Sequence, residues 1–161
     1  MMSWAFWVFV ITLLVLHFVL HLAFGFASGA PDFMTIALLL AARRMTRPAA
    51  ALFGAALGVL RDALALIAFG ADAVAMGVIG YIGSRTRELF VGDSTLFLVV
   101  YLFLGKLTHD VIQYALRAVS TGMEVADTLG VLLRSAPIQA VYAALAGTVA
   151  LSVYRWLNEE R

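Results

Sequence analysis

The apolar run from Trp4 to Ala27 contains no Asp, Glu, Lys or Arg, and a chain with such a segment has few choices of solvent. A helix needs about 20 apolar residues to cross a bilayer, whereas the apolar core of a cleaved signal peptide spans about 7–15. The run is long enough for the first and too long for the second. No basic side chain stands among Met1 to Ser3, so the run is expected to be a retained first membrane helix. The rest of the chain agrees: 63% of residues are hydrophobic and 13% charged, against about 25% charged in an ordinary soluble domain. Its 161 residues form a single integral membrane domain, residues 1–161. The longest gap between apolar runs is only 118–135, which leaves no room for a separate soluble catalytic domain.

Punctuation along the chain predicts an all-α, polytopic bundle of six transmembrane helices, at about 4–26, 31–42, 48–70, 72–84, 94–119 and 137–157. The first stops at the Ala27-Ser28-Gly29-Ala30-Pro31-Asp32 turn, where Gly and Pro mark a chain reversal. The second ends in the basic loop Arg43 to Pro48, and Pro48 suits the first turn of the third, where its missing N–H is not needed. Asp72 is placed to cap the fourth, and Gly92-Asp93 precede the fifth. Between 120 and 135, Val125, Leu129, Leu132 and Leu133 recur at helical spacing against Glu124, Asp127 and Arg134, which reads as a separate helix lying at the interface. Tyr154-Arg155-Trp156 anchors the last helix at the membrane surface. In this arrangement Arg43, Arg44, Arg47, Arg85, Arg87, Arg155 and Arg161 fall on one side and Arg117 and Arg134 on the other. Cytoplasmic loops are enriched in Lys and Arg, so both termini are expected in the cytoplasm.

Several function classes drop out. The net charge of +1 gives no field suited to nucleic acid. Without cysteine, disulfides, thiolate metal sites and thiol nucleophiles are excluded. No Ser or Thr stands in a Gly-x-Ser-x-Gly context, and no enzyme activity or cofactor is expected. His17 and His21 share a helical face, a spacing that serves one metal, but no third ligand accompanies them and no metal site is assigned.

Two groups of residues remain. Ala50, Gly54, Gly58 and Asp62 recur every four residues, and small side chains at that spacing allow a second helix to approach closely. The face packs either within this bundle or against another membrane protein. In the latter case Gly58→Leu would weaken the association. Arg61, Asp62, Lys106, His109 and Asp110 form a candidate intramembrane polar network, because an ionised group at a membrane helix centre costs roughly 2.5–3.5 kcal/mol on insertion scales and needs a partner. Lys106 and Asp110 are set to pair at i, i+4, or Lys106 to meet Asp62 while Asp110 takes Arg61. The same group would serve an ion or proton pathway in a transporter or channel subunit.

Three segments in order, Pro31-Asp32 opening the second helix, Gly54-x-x-x-Gly58-x-x-x-Asp62 in the third and Gly80-Tyr81-x-x-Ser84-Arg85 closing the fourth, give the chain its likeness to a known family. Over most of its length it resembles the rod shape-determining MreD family of the bacterial inner (cytoplasmic) membrane. The resemblance implies a non-enzymatic scaffold of the cell-wall elongation complex, binding MreC and linking MreB, RodA and its class B penicillin-binding protein. It also implies a fold similar to the S-components of energy-coupling-factor vitamin transporters, which supplies the alternative: a substrate-binding subunit with a polar pocket near the extracytoplasmic surface. On these grounds Pro31, Asp32, Gly54, Gly58, Asp62 and Gly80 are the partner-binding or helix-packing candidates.

Overall fold

The computed structural model describes residues 4–23, 31–64, 69–86, 94–122 and 125–159. Among them the regular structure is entirely helical. Helix α1 (Trp4–Phe18) runs on into a π-helical turn, Val19–Ala23. It is followed by α2 (Phe33–Ala42), α3 (Arg47–Leu64), α4 (Ala71–Thr86), α5 (Thr95–Thr121) and α6 (Val125–Glu159). Among the described residues three segments are long and apolar enough to cross a membrane: Trp4–His21, Thr95–Thr121 and Thr128–Asn158. The expected turn over Ala27 to Ala30 and the positions Arg87, Gly92, Asp93, Glu124 and Arg161 lie outside the described residues.

Helix α2 is the axis of the bundle. Every residue from Phe33 to Ala42 is buried, and α2 touches each of the other five helices. A helix that is apolar all round has no face to offer water, and here none is offered to any surroundings. Ten residues rise only about 15 Å, so α2 is half the length of a full crossing and is held by its neighbours instead.

The most extensive helix pair is α3 with α4, and glycine is the reason. A Cβ at Gly54 would collide with the carbonyl of Met76, one at Gly58 with the backbone of Asp72 and Ala73, and one at Gly80 with the carbonyl of Ala50. Two backbones therefore touch along the whole stripe, where dispersion contacts accumulate. The small-residue face of α3 is thus internal. The larger side chains Leu52, Val59 and Leu60 point outward.

Helix α6 departs from the expected organisation. In place of an interfacial helix over 120–135 and a new helix from Pro137, one helix runs unbroken from Val125 to Glu159 with Pro137 inside it. Thr128, Ala136, Ala140, Ala143, Gly147 and Leu151 bury along one face on both sides of the proline, so the helical phase is continuous. Proline lacks one amide donor but is tolerated within membrane helices, where Ser, Thr and neighbouring helices satisfy freed groups. Ser135 Oγ donates to the Val131 carbonyl at 2.7 Å just before it. The apolar residues Leu129 and Leu133 are exposed, because the small residues take the inner face. What separates α6 from α5 is Gly122, whose φ of +68° is the left-handed conformation that ends helices and that glycine adopts without strain.

The two ends of the bundle differ in chemistry. At one, the guanidinium of Arg44 lies 3.9 Å above the Phe6 ring and that of Arg43 stacks over Phe97 and Tyr101, while Phe6 meets Tyr154 edge-on. The α2–α3 loop, the starts of α1 and α5 and the end of α6 meet there through arginine on aromatic rings. Ion pairs gather at the other end.

Candidate functional site

Asp32 begins the site. As the N-cap of α2 it accepts from the Thr35 amide at 3.1 Å and the Thr35 hydroxyl at 2.9 Å, satisfying a donor that the first helical turn leaves unpaired. The same carboxylate takes Arg61 Nη1 from the end of α3 at 2.7 Å and Lys106 Nζ from α5 at 3.1 Å, with His17 of α1 3.7 Å away. One aspartate at a helix start thereby gathers side chains from three other helices. Pro31 precedes it and directs its carbonyl to the Phe33 amide at 2.9 Å, which tightens the entry into α2.

Asp72, in the first turn of α4, is the second anchor. Its side chain is fully buried and accepts from Gln113 Nε2 and from Arg117 Nη2, the latter at 2.9 Å. Arg61 Nε and His109 Nε2 stand 3.7 and 3.5 Å from it. Asp110 is the third: it holds Lys106 Nζ at 2.5 Å and His109 Nδ1 at 3.0 Å. The cluster therefore contains three carboxylates (Asp32, Asp72, Asp110) and three cations (Arg61, Lys106, Arg117), drawn from α2, α3, α4 and α5. Charge balance and hydrogen bonding together are what allow ionic groups to be buried at all.

Of the expected network, Arg61, Lys106, His109 and Asp110 are brought together here, with Lys106 pairing to Asp110 as the i, i+4 spacing indicates. Asp62 is not part of it. Both of its oxygens face the start of α4, accepting the amides of Gly70 at 3.0 Å, Asp72 at 3.1 Å and Ala73 at 2.9 Å. A carboxylate at a helix N-terminus meets exactly the donors and the positive dipole end that need it, so the alternative pairing of Lys106 with Asp62 is replaced by a cap. Gly70 permits this by turning through φ +99°, a conformation open to glycine. Gly54, Gly58 and Gly80 belong to the α3–α4 contact rather than to a docking face.

Four members, Asp32, Asp72, Gln113 and Arg117, were not anticipated as part of the network. Gln113 and Arg117 carry a readable signal: Lys106, Asp110, Gln113 and Arg117 follow one another at spacings of four, three and four, with His109 beside Asp110, and so form a single polar stripe on α5. His17 and His21 stack with ring centroids 4.1 Å apart, and His21 Nδ1 lies 2.9 Å from the His17 carbonyl. Among the described residues no group of three His, Asp or Glu side chains is arranged to hold a metal.

A cavity of about 270 Å³ opens beside the cluster. Arg61, Lys106, Gln113, Tyr114 and Arg117 line it together with His21, Asp32 and Asp110, and Ser135 and Gln139 of α6 complete it. A second, larger cleft of about 550 Å³ lies between α4 and α5, where Ile79, Ile82, Phe97, Val100 and Leu104 make it almost wholly apolar. The arrangement supplies fixed hydrogen-bond donors and charges around an open space. Comparison of the chain with protein families, with curated proteins and with solved structures gave no match.

Proposed function

We propose that this chain is a non-enzymatic scaffold of the MreD type in a bacterial inner membrane, with six membrane helices and both termini in the cytoplasm. In this reading it binds MreC and links RodA, its class B penicillin-binding protein and MreB. One observation carries the proposal: the three segments on which the resemblance rests form one connected corner of the bundle. Asp32 pairs with Arg61, Asp62 next to Arg61 caps α4, and Gly54 and Gly58 seat the α4 segment that ends at Gly80. Residues with that much mutual dependence define a rigid frame, and a frame is what a scaffold presents to its partners. The even number of helices among the described residues and the gathering of Arg43 and Arg44 at the end holding the start of α1 support the cytoplasmic placement of both termini.

A second reading, the S-component of an energy-coupling-factor transporter, is favoured by the polar cavity, which the proposed topology puts toward the extracytoplasmic side. A pull-down of the tagged full chain from native membranes in mild detergent separates the two. Stoichiometric recovery of MreC-like or RodA-like proteins is the expected result. Recovery of a paired-ATPase transporter module would replace the scaffold by the transporter.

A further inference from the structure

We propose that the cavity between α5 and α6 is a binding site for an oxyanion, a phosphate or carboxylate group held between Arg61 and Arg117. The inference holds for either assembly above, because it concerns what the cavity takes and not which protein docks.

The first argument is an inventory of donors and acceptors. A guanidinium carries five N–H donors and no acceptor. Arg61 makes one hydrogen bond within the cluster, to Asp32, while its approach to Asp72 at 3.7 Å is beyond hydrogen-bond distance. Arg117 donates from Nη2 to Asp72, and its Nε is buried without a hydrogen-bond partner. The acceptors of Asp32 are already engaged by Thr35, Arg61 and Lys106, those of Asp72 by Gln113 and Arg117, and Asp110 by Lys106 and His109. The cavity wall is therefore in surplus of N–H groups. Planar guanidinium forks match the paired oxygens of carboxylate and phosphate.

The second argument is the layering of charge. The carboxylates of Asp32 and Asp72 are 4% and 0% exposed, whereas the side chains of Arg61 and Arg117 are 24% and 30% exposed. Asp32, Asp110 and Lys106 also border the cavity, but their side chains are only 4–5% exposed, so the two guanidinium groups present most of the charged surface to the open space. A solute entering the cavity meets guanidinium first. This order favours an anion over a cation as the occupant. The oxyanion has two sources, a free solute or the headgroup of a lipid.

The test uses the full chain purified in a sugar-headgroup detergent. Thermal unfolding and calorimetric titration are followed with inorganic phosphate and with dioctanoyl phosphatidylglycerol, against sodium chloride at equal ionic strength. Saturable stabilisation by at least one of the two phosphates is expected, weakened at least tenfold in Arg117→Gln and partly restored in Arg117→Lys. Saturation by inorganic phosphate identifies a free solute; saturation by the lipid alone, with lipid retained in native mass spectrometry of the wild type, identifies a headgroup. Ser135→Leu, which narrows the cavity from α6 without touching the ion pairs, is expected to weaken binding to a similar degree and decides the matter if Arg117→Gln fails to fold. Equal response to phosphate and chloride, or binding that survives Ser135→Leu unchanged, would overturn the proposal. The pull-down reads partners and these titrations read the ligand, so either can fail while the other stands.

Discussion

Lys106 serves two carboxylates at once, Asp110 on its own helix and Asp32 across the bundle, and this double duty sets the penalty for losing it. Removing one member of a buried ion pair leaves an uncompensated charge and costs about 3–5 kcal/mol, whereas replacing both by apolar side chains is often close to neutral. Lys106→Met is therefore expected to lower the unfolding temperature in detergent more than Lys106→Met combined with Asp110→Leu, since in the double variant Asp32 still keeps Arg61. The opposite order would mean that Asp110 does not depend on Lys106 for its charge. The i, i+4 spacing made that pair legible in the sequence. The link to Asp32 was not, because Asp32 and Lys106 belong to separate helices and one sequence holds no register between them. Arg61 and Asp62 show the same limit more sharply. They are neighbours in sequence and both are ionisable, yet one joins the cluster and the other caps a helix, a division made by the 100° turn between adjacent residues.

At the scale of elements, α3 and α4 behave as one unit with two distinct fastenings. The glycine stripe lets backbones touch, and Asp62 ties the end of α3 to the first amides of α4. Gly58→Leu is accordingly expected to destabilise the fold itself, lowering the yield of monodisperse protein and its unfolding temperature, rather than to weaken partner association among folded molecules. Normal stability with loss of a partner in the pull-down would return the stripe to the role of a docking face. Asp62→Ala should cost about 1–3 kcal/mol, the usual penalty for stranding buried donors, read as a lowered unfolding temperature with binding of partners retained. The four-residue period of Ala50, Gly54 and Gly58 revealed a close-packed face from the sequence alone, but the identity of the opposing helix rested on Gly80 and Met76, which no period connects to α3. In α6 the sequence offers Pro137 as a boundary, yet the helix runs through it. The decisive pattern was the row of small residues from Ala136 to Gly147, which bury while Leu129 and Leu133 face out.

For the molecule as a whole, the proposed topology makes a direct prediction. The chain has no cysteine, so single cysteines report cleanly. Thr121→Cys at the end of α5, exposed at the charge-cluster end, should react with a membrane-impermeant maleimide in intact spheroplasts. Thr46→Cys in the α2–α3 loop should react only after permeabilisation. The reverse pattern would place both termini outside and move the cavity to the cytoplasmic face. The complete burial of α2 bears, finally, on how such a protein is made. A segment of ten residues is too short to cross the bilayer alone, and it is emitted from the ribosome second, yet α5 and α6, which cover part of it, are emitted last. During synthesis α2 has no neighbours on those sides until α5 and α6 have emerged. A chain that stalls before α6 is thus expected to leave part of α2 uncovered and to be degraded faster than one that includes α6.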